Sequence, residues 1–147
     1  MKTVQNGTIP GRLLELRGLI EKGFSPETAA AGFRGTGPST GQCAATAIVV
    51  REVLGGEFLS ALVEDQSHWF NRVPLSGRPM DLDLTGDQFG LPAVQLTDVD
   101  QLYVGTRVRS PSDVDRDTLR RAIRLAEQAG MQDIRRRLER WSATTAR

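Results

Sequence analysis

The chain has 147 residues, enough for one domain that buries a core without disulfide or metal staples. Hydrophobic residues make up 39%, charged residues 25% and the formal net charge is +1, so neither nucleic acid nor an anionic membrane surface is implied as a partner. No apolar run reaches the roughly 18 residues of a membrane span, and the opening MKTVQNGTIPGRLL lacks the apolar segment of a secretory signal. One cysteine cannot close an internal disulfide, so the thiol is free and a reducing, cytoplasmic setting is expected.

There is no internal repeat and no linker-like tract, so residues 1–147 read as a single domain, with 1–8 as a frayed tail. Pro10 to Lys22 reads as a helix, with Leu13, Leu14, Leu16, Leu19 and Ile20 at helical spacing and Gly23 as its stop. Ser25-Pro26-Glu27 starts a short helix that ends near Gly32. GFRGTGPSTGQ, residues 32–42, is a loop. CAATAIVVREVLGG is a helix that ends at Gly55-Gly56; its apolar run Ala44 to Val50 predicts burial at the centre of the fold, with Ser39 or Thr40 as its cap.

Strands are expected over Glu57–Glu64, Ser67–Val73 and Met80–Thr85, with a turn at Leu75-Ser76-Gly77-Arg78. Gly86 to Ala93 is loop-like, and Ala93 to Val99 fits no single pattern. Gln101 to Val108 alternates Leu102, Val104, Thr106 and Val108 on one face, as a further strand would. Asp113, Asp115 and Asp117 favour a helix start, followed by a stripe of Leu119, Ile123, Leu125 and Ala126. Gly130 breaks it, and Met131 to Ser142 forms a last helix with Ile134, Leu138 and Trp141 inward. Arg135-Arg136-Arg137 and Arg140 read as its solvated face. The class is α+β: a central buried helix with the cysteine at its N-terminus, packed on a small antiparallel meander between flanking helices.

The chain has one cysteine and one histidine, so Cys–His chemistry rests on Cys43 and His68. Cys43 stands where a glycine-rich loop enters a helix. Unpaired N–H groups and the positive end of the helix dipole favour a thiolate there, and the thiolate is the nucleophile. The bland alternative is an inert buried thiol. If Leu75 and Arg78 close an even-numbered hairpin loop, paired positions sum to 153. His68 and Phe70 then share a face with Asp81, Asp83 and Thr85, because side chains alternate along a strand. Asp83 becomes the diagonal neighbour of His68 and the carboxylate that orients the imidazole. An odd loop would invert the faces. The alternation of acids with Met80, Leu82 and Leu84 predicts that the acidic face borders solvent or a cleft.

The stretches PSTGQCAATAIVV, HWFNRV and DLTGDQF, in that order between Pro38 and Phe89, resemble the YunG-like family of small bacterial proteins. Ala45 stands where that family usually has valine. The resemblance implies that Cys43, His68 and Asp83 belong to shared motifs; it supplies no reaction. Gln42, Asn71, Thr85, Asp87 and Gln88 fall in the same motifs. Gln42, Asn71 and Gly41 are candidates to meet an oxyanion or a substrate carbonyl, and Thr85 to touch the ring. For each, a structural hydrogen bond is the alternative. Asn71 falls on the opposite face of the hairpin.

The expectation is a thiol-dependent acyl-bond enzyme with a papain-like or transglutaminase-like Cys43–His68–Asp83 triad. It would hydrolyse, deamidate or transfer the acyl group of a small molecule or side-chain amide. Neither a metal nor a cofactor is indicated, since no CxxC or HExxH spacing occurs. The competing reading is a non-catalytic small-ligand binding module of papain-like shape. Trp141 and the basic late helix leave association with another copy open.

Overall fold

Pro10 has the fixed φ that a helix entry needs, and it stands at the N-cap of α1, Gly11–Glu21. The computed structural model describes residues 9–35 and 37–145; the tail expected over 1–8 lies outside the described residues. Leu13, Leu16 and Ile20 are buried, whereas Leu14 and Leu19 stay exposed, so the apolar stripe is narrower than its leucine count. No helix forms after Ser25: residues 26–28 make turns, pinned because Thr28 Oγ1 donates to the Ser25 carbonyl at 3.0 Å.

The second helix, α2, spans Cys43–Leu54. Its N-cap is Gln42, which makes no capping bond through its side chain, and the Ser39 and Thr40 hydroxyls are buried without partners. Neither expected cap is used. Ala45, Ile48, Val49 and Val50 are all fully buried, as an apolar run without a polar stripe demands. The chain leaves α2 through Gly55 and Gly56. At Gly56, φ is +94° and a Cβ would lie 2.0 Å from the Arg72 carbonyl oxygen, so only glycine lets the chain pass the sheet there.

A five-stranded antiparallel sheet follows. Its strands are β1 (Glu57–Val63), β2 (Gln66–Leu75), β3 (Arg78–Asp83), β4 (Gln95–Thr97) and β5 (Arg107–Arg109). The order across the sheet is β4-β3-β2-β1-β5, a four-strand meander with β5 added on the β1 side. The β2–β3 register pairs Asn71 with Leu82, Arg72 with Asp81 and Leu75 with Arg78, the even-loop hairpin that the turn residues predict. The last two strands differ from expectation. β4 occupies the middle of the ambiguous 93–99 stretch. Of the strand expected over Gln101–Val108, only Arg107 and Val108 enter β5. Positive φ at Asp100 (+66°) and Gly105 (+75°) bends the chain before it can pair.

The register sorts the sheet into two faces. Phe58, Val73, Leu75, Met80, Leu82 and Leu96 meet α1 and α2 in one core. Two later helices complete it: α3 (Arg116–Gln128), capped by Asp115 accepting from the Thr118 N–H at 2.7 Å, and α4 (Gln132–Thr145). Leu119, Leu125, Ile134 and Leu138 are their buried contributions. The opposite face carries Leu59, Ala61 and Phe70, covered by Leu102 and Tyr103 of the connection that precedes β5. The architecture is α+β. Among the described residues no helix is long and apolar enough to cross a membrane.

Candidate active site

β3 ends at Asp83 while β2 begins seventeen positions earlier, at Gln66, so the first residues of β2 run past the end of their neighbour. Side-chain chemistry fills that gap. His68 points to the face away from the helices, and its ring stacks on Phe70 at 5.8 Å between centroids. Phe89 and Tyr103 meet the ring edge-on at 4.9 and 5.4 Å. Cys43 enters from the helical side. Its thiol reaches the carbonyl oxygen of Ser67, the residue before His68, over a long 3.9 Å contact. The thiol is also a near neighbour of the imidazole, whose protonated form it favours.

The register carries Asp83 to the diagonal of His68, and its Oδ2 lies 2.7 Å from Nε2. Nε2 therefore donates to this carboxylate, which fixes the orientation of the ring. The other carboxylate oxygen, Oδ1, accepts the Thr85 N–H at 2.9 Å and the Thr85 hydroxyl at 3.3 Å. Tyr103 donates its hydroxyl to Oδ2 and accepts from Gln95 Nε2 at 3.0 Å. Every lone pair that the carboxylate turns inward is used, which is what a buried charge requires.

Burial alone would pull the His68 pKa down. The charge and hydrogen bond of Asp83 outweigh it, and the cysteine adds to them, so the imidazole is pushed up from 6.5 to about 10. For Asp83, burial pushes up, and the opposing imidazolium, Tyr103 and the Thr85 N–H bring it below the ordinary carboxylate value. Burial and the neighbouring Asp83 raise the Tyr103 hydroxyl, which keeps it a donor.

The acidic face does not border water. Asp81 and Asp83 are at most 1% exposed. Asp81 belongs to a separate pair: Arg72 Nε binds its Oδ1 at 2.7 Å, and its Oδ2 accepts the Asp100 N–H at 2.9 Å. Alternating acids signal a wet face only when nothing inside the fold pairs with them, and here each has a basic partner on β2. Asn71 turns to the helical face and donates to the Ala47 carbonyl at 2.9 Å.

The flanking candidates are placed differently from expectation. Gln42 turns its amide away from the thiol: Oε1 accepts from Thr28 Oγ1 at 2.7 Å, and Nε2 donates to the Ser25 carbonyl at 3.0 Å. It pins the loop before α2. The Gly41 N–H donates to Gln88 Oε1 at 3.1 Å. Thr85 serves Asp83 and not the ring. Gln88, in the 3-10 turn Gly86–Phe89, is the amide that comes to the imidazole, with Nε2 3.4 Å from His68 Nδ1. Arg17 fixes this turn to α1: its Nε donates to the Leu84 carbonyl at 2.7 Å, and one terminal nitrogen meets Asp87 at 2.8 Å. Gln88 sits inside the DLTGDQF stretch, a signal the sequence does contain; Tyr103 and Arg17 carry none.

All three principal side chains are enclosed: Cys43 is 2% exposed, His68 0% and Asp83 1%. Phe89 and Tyr103, the half-buried rings against the imidazole, form part of the cover. No curated protein matches the chain, and no solved structure does. The family model described as YunG protein matches residues 12–126, a span that takes in nearly all of α1 and α3, and the whole of α2 and the sheet. The chain belongs to the YunG family.

Proposed function

We propose that this protein is a thiol-dependent acyl-bond enzyme with Cys43 as nucleophile, His68 as base and Asp83 as orienter, built on a papain-like core. The observation that carries the reading is the ordered line of contacts. Asp83 holds Nε2 of the chain's single histidine, and the single cysteine lies beside that residue, against the carbonyl that precedes it. In this mechanism the imidazole, drawn to its protonated form by Asp83, holds the Cys43 proton, and the thiolate attacks the carbonyl carbon of an amide or thioester. The carbonyl electrons become an oxyanion. Its donors are the Cys43 N–H, in the first turn of α2 where amides lack helical acceptors, and the Gln88 side-chain amide. Collapse expels the amine or thiol, which takes the proton from His68, and leaves an acyl-cysteine. Water or an amine then releases the acyl group.

The enclosed thiol requires the cover over the ring to open before substrate enters. That same burial favours a second reading, a non-catalytic small-ligand binding module in which the three side chains hold the sheet's frayed corner together. Intact mass spectrometry after incubation with small thioesters separates the two. Catalysis requires a mass gain on the wild-type chain that Cys43→Ala abolishes. No gain under any acyl donor, or a gain that survives Cys43→Ala, is the binding module's result.

A further inference from the structure

We propose that the cleft at the β1–β5 edge holds a carboxylate carried by the substrate, so that the acyl compound worked on by Cys43 is anionic. This rests on the catalytic reading above. The cleft is about 370 Å³ and is lined in part by Ser60, Leu62, Ser67, Gly105, Arg107 and Arg109. Two independent features connect it to the triad. Ser67 lines it, and the Ser67 carbonyl is the group the Cys43 thiol touches at 3.9 Å. Val104 lines it as well, and it follows Tyr103, which holds Asp83.

Register puts the cleft on the side from which the thiol arrives. Leu62 pairs with Ser67, Ser60 with Trp69 and with Arg107, and Phe58 with Arg109. Phe58 belongs to the core against α2, so both arginines rise from the helical face of the sheet. Arg109 is set in place: its Nε donates to the buried Ser60 hydroxyl at 2.8 Å, which leaves its terminal nitrogens for a ligand. Arg107 stands two positions away on the same strand, and so on the same face. A carboxylate near both is Asp113, lowered chiefly by the Ser110 N–H that it accepts at 2.8 Å and to a lesser degree by the two arginines. Two guanidinium groups against one engaged carboxylate leave this edge positive. Paired guanidiniums match a carboxylate by bidentate bonding. The walls are otherwise small or apolar, which suits a short carbon chain between that carboxylate and the reacting carbonyl.

The test measures binding and chemistry separately. Thermal midpoints are recorded with glutarate and with its neutral diamide, glutaramide, for the wild type, Cys43→Ala, and a double variant with Arg107→Met and Arg109→Met. Alkylation of Cys43 by iodoacetate is compared with that by iodoacetamide in the wild type and the double variant. Glutarate is expected to raise the midpoint of the wild type and of Cys43→Ala, with glutaramide inactive and the double variant unresponsive. The iodoacetate-to-iodoacetamide rate ratio is expected to fall at least about five-fold in the double variant. Equal midpoints with and without glutarate, or a shift that survives loss of both arginines, overturns the anion site. Because the arginines bind without the thiol, a glutarate shift in the wild type and in Cys43→Ala, with no thioester acylating the wild-type chain, would retire the catalytic reading and leave the site standing.

Discussion

Asp83 divides its work between two oxygens. Oδ2 takes His68 and Tyr103, and Oδ1 takes Thr85. An amide in its place keeps the shape and reverses one bond: oriented by the Thr85 N–H, it donates toward Nε2 and drives the imidazole proton onto Nδ1, against the proposed mechanism. Asp83→Asn is therefore expected to cut the acylation rate by roughly 10²–10⁴-fold, read by stopped-flow with a chromogenic thioester. A rate within a few-fold of wild type would remove Asp83 from the mechanism. At this scale much was legible in advance. Hairpin parity alone selects Asp83 over Asp81, because the strand period is two and the turn residues fix the register. The amides were not legible. Gln42 and Gln88 are equal as letters, and only tertiary packing decides that Thr28 and Ser25 occupy the first while the second reaches the ring.

The helix–sheet junction at Gly56 is the element on which the geometry leans. Its positive φ and the 2.0 Å approach of the Arg72 carbonyl to a would-be Cβ set how closely the chain leaving α2 passes β2. Gly56→Ala is expected to cost about 2–4 kcal/mol, measured by urea denaturation with an unchanged m-value. A loss under about 0.5 kcal/mol would show that the junction yields freely. The elements that carry the site, α2, β2 and β3, have strong periodicity and were readable within a few residues. The 101–108 segment was not. Its alternating apolar residues match a strand, yet Val104 is 95% exposed and Tyr103 turns inward as a cover. Period-two alternation reports a strand only when a neighbour pairs with it.

For the whole molecule, the buried His68–Asp83 pair links protonation to folding. The imidazole is raised from 6.5 to about 10, so its contribution is complete below about pH 6.5 and is lost as pH climbs through 10. The Asp83 carboxyl is lowered, so its contribution is present above its ordinary value of 3.8 and is lost as pH falls below that. The pair stabilises most between these limits. From pH 7 to 10 the thermal midpoint of the wild type is expected to fall by at least about 3 °C more than that of Asp83→Asn. Parallel curves would mean that the pair carries no proton linkage.

The nucleophilic role proposed for Cys43 is tested most directly by following acyl transfer from a small thioester by intact mass, with the rate taken from the growth of the acylated species. The expected result is one acyl group on the wild-type chain, mapped to Cys43, none on Cys43→Ala, and a rate reduced at least about 100-fold in His68→Ala. Acylation at the same rate with and without His68 would contradict the account, leaving Cys43 a buried thiol of ordinary reactivity.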